Sequence, residues 1–167
     1  MLGQFVPTEQ DLIMMVRILL AFVLGGIVGW ERQRVRRPAG LRTHMLVSAG
    51  AAAFTVASIY GFDGYGTVRD PARLAAQILT GIGFIGAGVI FHDRQQTRGL
   101  TTAASIWIVA ALGILAGVGL FWVAGFTTAL TYFALRILKR IEPPPAPPKR
   151  KKNGDVDSGD QKSEISF

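Results

Sequence analysis

Apolar residues run along this chain in long, nearly continuous blocks, and short polar segments separate them. Leu12 to Trp30 is interrupted only by Arg17, and Thr8-x-x-Asp11 just before it has the spacing of a helix N-terminal capping box. A second block, His44 to Tyr60, is rich in Ala and Gly. A third begins at Asp70-Pro71, a good helix start because Asp caps and Pro tolerates the first helical position, and its uncharged part is Leu74 to Phe91. Ala103 to Leu135 contains no charge. As one helix at 1.5 Å per residue it would reach about 50 Å, too long for a hydrocarbon core of about 30 Å. Gly117-Val118-Gly119 is the natural break, which gives Thr101 to Ala116 and Leu120 to Leu138. The pattern predicts an all-α integral membrane protein: a bundle of five transmembrane helices with approximate spans 12–30, 44–60, 74–91, 101–116 and 120–138.

Charge fixes the expected orientation. The Glu31 to Thr43 connector holds Arg32, Arg34, Arg36, Arg37 and Arg42, the His92 to Leu100 loop holds Arg94 and Arg98, and a further basic segment starts at Arg136. Five spans with the N-terminus outside and the C-terminus inside put every basic cluster on the cytoplasmic side, as the positive-inside rule requires, and four spans would not. The loop of residues 61–73 and the glycine turn then lie outside, and Trp30 and Trp122 fall near opposite interfaces. The first ten residues carry no Lys or Arg, and no small-x-small site follows the first apolar run, so that run is expected to be a retained span. The membrane domain is expected to cover residues 1–141. Residues 142–167, rich in Pro and Lys, are expected to be a disordered cytoplasmic tail.

Composition narrows the chemistry. Half the chain is apolar, the net charge is +7, there is no cysteine, and there are two histidines. Disulfides and thiolate sites are excluded, and His44 with His92 is too small a set for a zinc site. No metal site and no cofactor is expected. No nucleophile-base set, paired-carboxylate site or phosphate loop with lysine is present, so no catalytic residues are assigned and the chain is read as not an enzyme. The basic residues lack aromatic interleaving and gather at the expected inner membrane face, which argues against nucleic acid and for the lipid bilayer as partner.

Gly81-x-Gly83-x-x-Gly86 has the spacing of a dinucleotide-binding turn. That turn needs a strand before it and an acidic residue about 20 positions later, whereas here helix-forming residues precede it and the next acidic residues are Asp93 and Glu142. Small residues inside membrane helices instead let backbones approach closely. Gly25 and Gly29, Gly81 and Gly88, Gly113 and Gly117, and Ala49, Ala53 and Ala57 are the expected packing seams, within the bundle or in a homo-oligomer.

Charged residues in the hydrocarbon are costly and mark functional candidates. Arg17, about 8 Å into the first span, either snorkels outward or meets a carboxylate such as Asp70. Gln77 is either a hydrogen bonder between helices or part of an outward-facing polar pocket with Asp70 and Arg73. No Asp or Glu lies within the interior of a span, so a dehydrated magnesium ion finds no oxygen ligands there. At the inner face, Glu31, Arg32 and the following arginines serve either as interfacial anchors or as a docking surface.

Taken together, "GWERQ", "RPAGLRTHMLVSAGAA", "DPARLAAQILTGIGFIGAGVIF" and "RGLTTAASIWIVAALGILAG" resemble the membrane domain of the MgtC/SapB family over about residues 12–138. The resemblance implies a multi-pass bacterial plasma (inner) membrane protein tied to adaptation to low magnesium. It also implies regulation of the ATP synthase or of transporters, so a membrane protein of that kind is an expected partner. Through the matching motifs it marks Glu31, Arg32, Pro38, Gly40, Arg42, Asp70, Arg73, Gln77, Gly99 and Thr101 as functional positions of unassigned chemistry. The virulence-type members carry a folded cytoplasmic domain after the last span, and the proline and lysine tail stands in its place here. The resulting expectation is a non-enzymatic regulator, with a magnesium or other ion transporter or channel as the alternative.

Overall fold

The computed structural model describes residues 6–61, 70–93 and 96–138. The expected tail, most of the 61–73 loop and Arg94 lie outside the described residues. Helix α1 (Glu9–Arg34) opens on the capping box: the Asp11 N–H donates to Thr8 Oγ1 at 3.3 Å, and the Thr8 N–H donates to Asp11 Oδ2 at 2.8 Å. After Arg34 the chain turns through Arg36, the one non-glycine described residue with positive φ, at 52°. It re-enters helix as α2 (Leu41–Val56), which runs on into a π-helical turn (Ala57–Gly61). Gly40 precedes α2 without a side-chain cap of its own. Gln33 Oε1 takes that role, accepting from the Leu41 N–H at 3.2 Å.

Helix α3 (Pro71–Gly88) starts where Asp70 accepts from the Ala72 N–H at 3.1 Å. Strands β1 (Phe91–Asp93) and β2 (Gln96–Arg98) pair antiparallel, Phe91 opposite Arg98. Helices α4 (Leu100–Val118) and α5 (Phe121–Arg136) follow. The predicted break between them is a Schellman closure. Gly119 sits at φ 100°, its N–H donates to Ala116 O at 3.0 Å, and the Leu120 N–H donates to Leu115 O at 2.8 Å.

The end of the third helix differs from expectation. The third helix ends at Gly88 and not at Phe91, and the segment after it is a small hairpin, so the chain is not purely helical. Polar residues after Phe91 give no apolar face to continue a helix, and cross-strand pairing satisfies backbone groups there instead.

Helices α1, α2 and α4 pack against one another, α3 lies on α4 and α2, and α5 lies on α1 and α4. Leu24, Val28, Val109, Leu112 and Ala124 form one apolar cluster, and Ala21, Ala52 and Ala116 form another. Four of the predicted seam glycines are at contacts too close for a side chain. A Cβ on Gly25 would stand 2.6 Å from His44 O, on Gly29 2.8 Å from the Leu41 Cα, and on Gly117 2.8 Å from the Thr55 Cβ; on Gly113 it would collide with Ser48 O. Helix α2 is thus clasped between glycines of α1 and α4.

The other predicted seams make no such close contact within the single chain. Gly81 and Gly88 have nothing within 4 Å, and α3 meets α4 through Gly86, whose Cβ would lie 3.7 Å from the Ala103 Cβ. At about 100° per residue, Gly86 is far around the helix from both. On α2 the buried positions are His44, Ser48, Ala51, Ala52, Thr55 and Val56, whereas Ala53 and Ala57 are exposed and Ala49 is half-buried.

The distribution of side chains is inverted relative to a water-soluble bundle. Beside the apolar clusters, small and polar residues occupy much of the interior, while Leu12, Val16, Leu19, Val23 and Trp30 of α1, Phe54 of α2, Phe84 of α3 and Trp122 and Phe126 of α5 face outward. Three helices are long and apolar enough to cross a membrane: α1, α2 with its π turn, and α4; α3 and α5 are apolar but shorter.

Candidate functional site

The buried polar groups concentrate at one end of the bundle, where the C-terminal turn of α1 meets the N-terminal turns of α2 and α4. Glu31 and Arg32 end α1 and are 5% and 2% exposed. Arg32 Nε donates to Glu31 Oε2 at 2.5 Å, and Nη2 pairs with the same oxygen. Nη2 also donates to Leu135 O at 3.4 Å, so the guanidinium meets a carbonyl in the last turn of α5 as well as its carboxylate. The ion pair is internally neutral, and removal of either partner would strand a buried charge.

One helix away stands His44, 0% exposed. Nδ1 lies 2.8 Å from Gly40 O, and because a carbonyl only accepts, Nδ1 carries a hydrogen. Nε2 lies 3.0 Å from Ser105 Oγ on α4, and Ser105 Oγ donates to Thr102 O at 2.8 Å. A turn further along α2, Ser48 is fully buried between Gly25 and Gly113, and its hydroxyl has no hydrogen-bond partner. The site can therefore hold charge and direct hydrogen bonds in a sealed interior. Glu31 is the only acidic side chain buried among the described residues, and its charge is already answered by Arg32.

The remaining predicted positions lie apart from this cluster. Arg42 and Thr101 are exposed on the first turns of α2 and α4, and Pro38 is exposed in the connector that ends at Gly40. Gly99 has φ 92°, and a Cβ there would collide with Val89 O, so its part is to let the hairpin close onto α4. Asp70 caps α3, and Arg73 and Gln77 are exposed on that helix; among the described residues no side-chain contact joins the three into a pocket.

Arg17 follows neither expectation. Its Nη1 donates to Gly117 O at 2.9 Å and approaches Val118 O at 3.4 Å, and its guanidinium carbon lies 5.7 Å from the centre of the Tyr60 ring. It satisfies the C-terminal carbonyls of α4 at the end of the bundle opposite Arg32, where a helix dipole favours a cation. His44, Ser48, Thr102 and Ser105 were missed as candidates. The available signal was polar side chains at helical spacing inside apolar helices, His44 to Ser48 and Thr102 to Ser105.

Fold and site define a class: a helical bundle with an apolar outer surface, a glycine-clasped central helix and a buried ionic and hydrogen-bonded cluster. Residues 18–143 match the MgtC family, and the chain belongs to that family. It is 42% identical over 132 residues to the Escherichia coli (strain K12) protein named "Putative magnesium transporter YhiD", covering 75% of this chain and 60% of that one. It is 50% identical over 122 residues to "Protein MgtC" of Brucella abortus (strain 2308), covering 72% and 49%. With "Protein MgtC" of Salmonella typhimurium (strain 14028s) the identity is 46% over 106 residues, covering 64% and 44%. The chain thus spans about half the length of these relatives. No solved structure matches it.

Proposed function

We propose that this chain is a multi-pass protein of the bacterial plasma (inner) membrane with five spans, and that it is a non-enzymatic regulator linked to adaptation to low magnesium. It acts by associating with another membrane protein, of the ATP synthase or transporter kind. The single observation that carries this reading is the neutralised interior: Glu31, the one acidic side chain buried among the described residues, is committed to Arg32. A hard divalent cation needs several free oxygen ligands, and a carboxylate paired with a guanidinium is not one. The exposed Arg34, Arg36, Arg37 and Arg42 around this same end offer a docking surface to a cytoplasmic or membrane partner.

The contact of Arg32 with Leu135 and that of His44 with Ser105 put the α1–α2 connector at the same end as the start of α4 and the end of α5. This supports an orientation with the connector, Arg98 and Arg136 in the cytoplasm. The absence of cysteine makes this testable, because a cysteine introduced at Arg37 is expected to react with a membrane-impermeant maleimide only after cells are opened, and one at Trp122 in intact cells. Labelling of both in intact cells overturns the orientation.

The second reading, an ion transporter or channel, is favoured by the name of the E. coli relative. Magnesium uptake into liposomes separates the two. Uptake by the parent that Asp70→Ala abolishes rejects the regulator. No uptake, together with co-purification of one stoichiometric membrane partner that is lost when Arg36 and Arg37 are replaced, supports it. Growth of a deletion strain in low against high magnesium tests the physiological link.

A further inference from the structure

The hydrogens available to the His44 linkage can be counted. Gly40 O at one end and Thr102 O at the other only accept, and between them run the contacts Nδ1 to Gly40 O, Nε2 to Ser105 Oγ, and Ser105 Oγ to Thr102 O. A neutral imidazole and a hydroxyl bring two hydrogens to these three contacts, and an imidazolium and a hydroxyl bring three. In the neutral state the Ser105 hydrogen turns onto Nε2, and the Thr102 carbonyl keeps its helical N–H partner. When Nε2 gains a proton, the hydroxyl turns back onto Thr102 O and every contact is filled. Rotation of one hydroxyl lets the hydrogen bonds be satisfied in either form, so what separates the two is charge.

The charges differ between the two forms. The charged groups acting on His44 are Glu31 and Arg32 of α1; α4 presents only the Thr102 and Ser105 hydroxyls, and Arg42 on α2 itself is exposed. Glu31 and Arg32 sum to zero, so a neutral ring leaves the cluster neutral and a protonated ring leaves it with one uncompensated positive charge. Such a charge is relieved by water or by sharing the Glu31 carboxylate. Both routes displace packed groups, since His44 is 0% exposed and α2 lies in close contact with α1 at Gly29 and with α4 at Gly113.

We infer that His44 is a proton-responsive joint of the bundle, at which proton uptake from the arginine-rich end changes the packing of α2 against α4. The joint works in the same way in a regulator or a transporter. Two measurements on the full chain in lipid nanodiscs test it. The chain has two histidines, so His92→Gln leaves one imidazole, whose ¹⁵N chemical shifts report its protonation directly. Spin labels on cysteines at the exposed Leu46 and Ala104 report the α2–α4 separation. Between about pH 7.5 and about pH 4.5, a window carried to the acid side because burial disfavours an uncompensated charge, the ring is expected to gain a proton. The label distance is expected to shift by about 1–2 Å over the same interval. His44→Asn, whose amide N–H can donate to Gly40 O in place of Nδ1 but which does not titrate, is expected to remove the shift. Ser105→Ala, which keeps the ring, is expected to move its midpoint. The inference is overturned if the ring holds one protonation state across this range, if it gains a proton at constant label distance, or if His44→Asn shifts as the parent does.

Discussion

Arg17 and Arg32, two arginines on one helix, solve the same problem at opposite ends of the bundle. Each carries charge into an apolar setting, and each meets carbonyl oxygens near the end of another helix: Gly117 and Val118 for Arg17, Leu135 for Arg32. Arg32 is the more deeply committed because its carboxylate is buried with it. Glu31→Ala is therefore expected to destabilise the protein by about 3–5 kcal/mol, the usual cost of leaving half of a buried pair, whereas replacing both residues by apolar ones of similar volume is expected to be far milder. Thermal unfolding in one detergent measures both variants. Arg17→Leu removes charged hydrogen bonds that are partly open to solvent, and a loss of about 1–2 kcal/mol is expected by the same assay. A loss as large for Arg17→Leu as for Glu31→Ala would contradict this ranking.

At the scale of the element, glycine decides where helices touch. A leucine at Gly113 must displace Ser48 O and Ala51, and a leucine at Gly25 must displace the His44 carbonyl, so each is expected to cost at least about 1–3 kcal/mol, as overpacked sites do. Leucine at Gly81 meets open space and is expected to leave the stability of the single chain unchanged. Expression yield and detergent melting of the three variants check this, and equal loss at Gly81 and Gly113 would point to a neighbour seated on α3. Helix ends were legible at this scale because their signals are local. Thr8 with Asp11, Asp70 with Pro71, and Gly119 each act within a few residues of themselves. The end of α3 was less legible, since Val89, Ile90 and Phe91 are apolar and only the pairing of Phe91 with Arg98 shows that the helix has already stopped.

For the whole molecule, an apolar exterior around a small, polar interior makes the lipid bilayer the fitting solvent. In water the exposed Trp122, Phe84 and Phe126 would form an aggregating surface. Purified chain is accordingly expected to stay monodisperse in detergent or nanodiscs and to precipitate when detergent is removed, as size-exclusion chromatography would show. Monodisperse elution without detergent would sink the membrane reading. Two of the six side chains in the buried cluster could be read from the chain, because Glu31 and Arg32 are charges placed conspicuously at the end of an apolar run. The other four could not, since His44, Ser48, Thr102 and Ser105 are ordinary polar residues until three helices bring them together.

The amino-acid order by itself determined how many apolar helices form, roughly where each begins and ends, the division of the last apolar block in two, and the clustering of arginines in particular connectors. Hydropathy and chain-breaking chemistry act between near neighbours, so a one-dimensional reading captures them. Tertiary packing decided the rotation of the helices whose inward faces the order of residues left open. In α2, small residues occur all the way round, and no stripe marks the inward face; in α3, Gly81 and Gly88 do not share the inward face of Leu74, Ile78 and Ile82. That rotation places Ser48 inside and Ala53 outside, points Gly81 and Gly88 away from the bundle, and joins His44 to Ser105 across 61 positions of sequence.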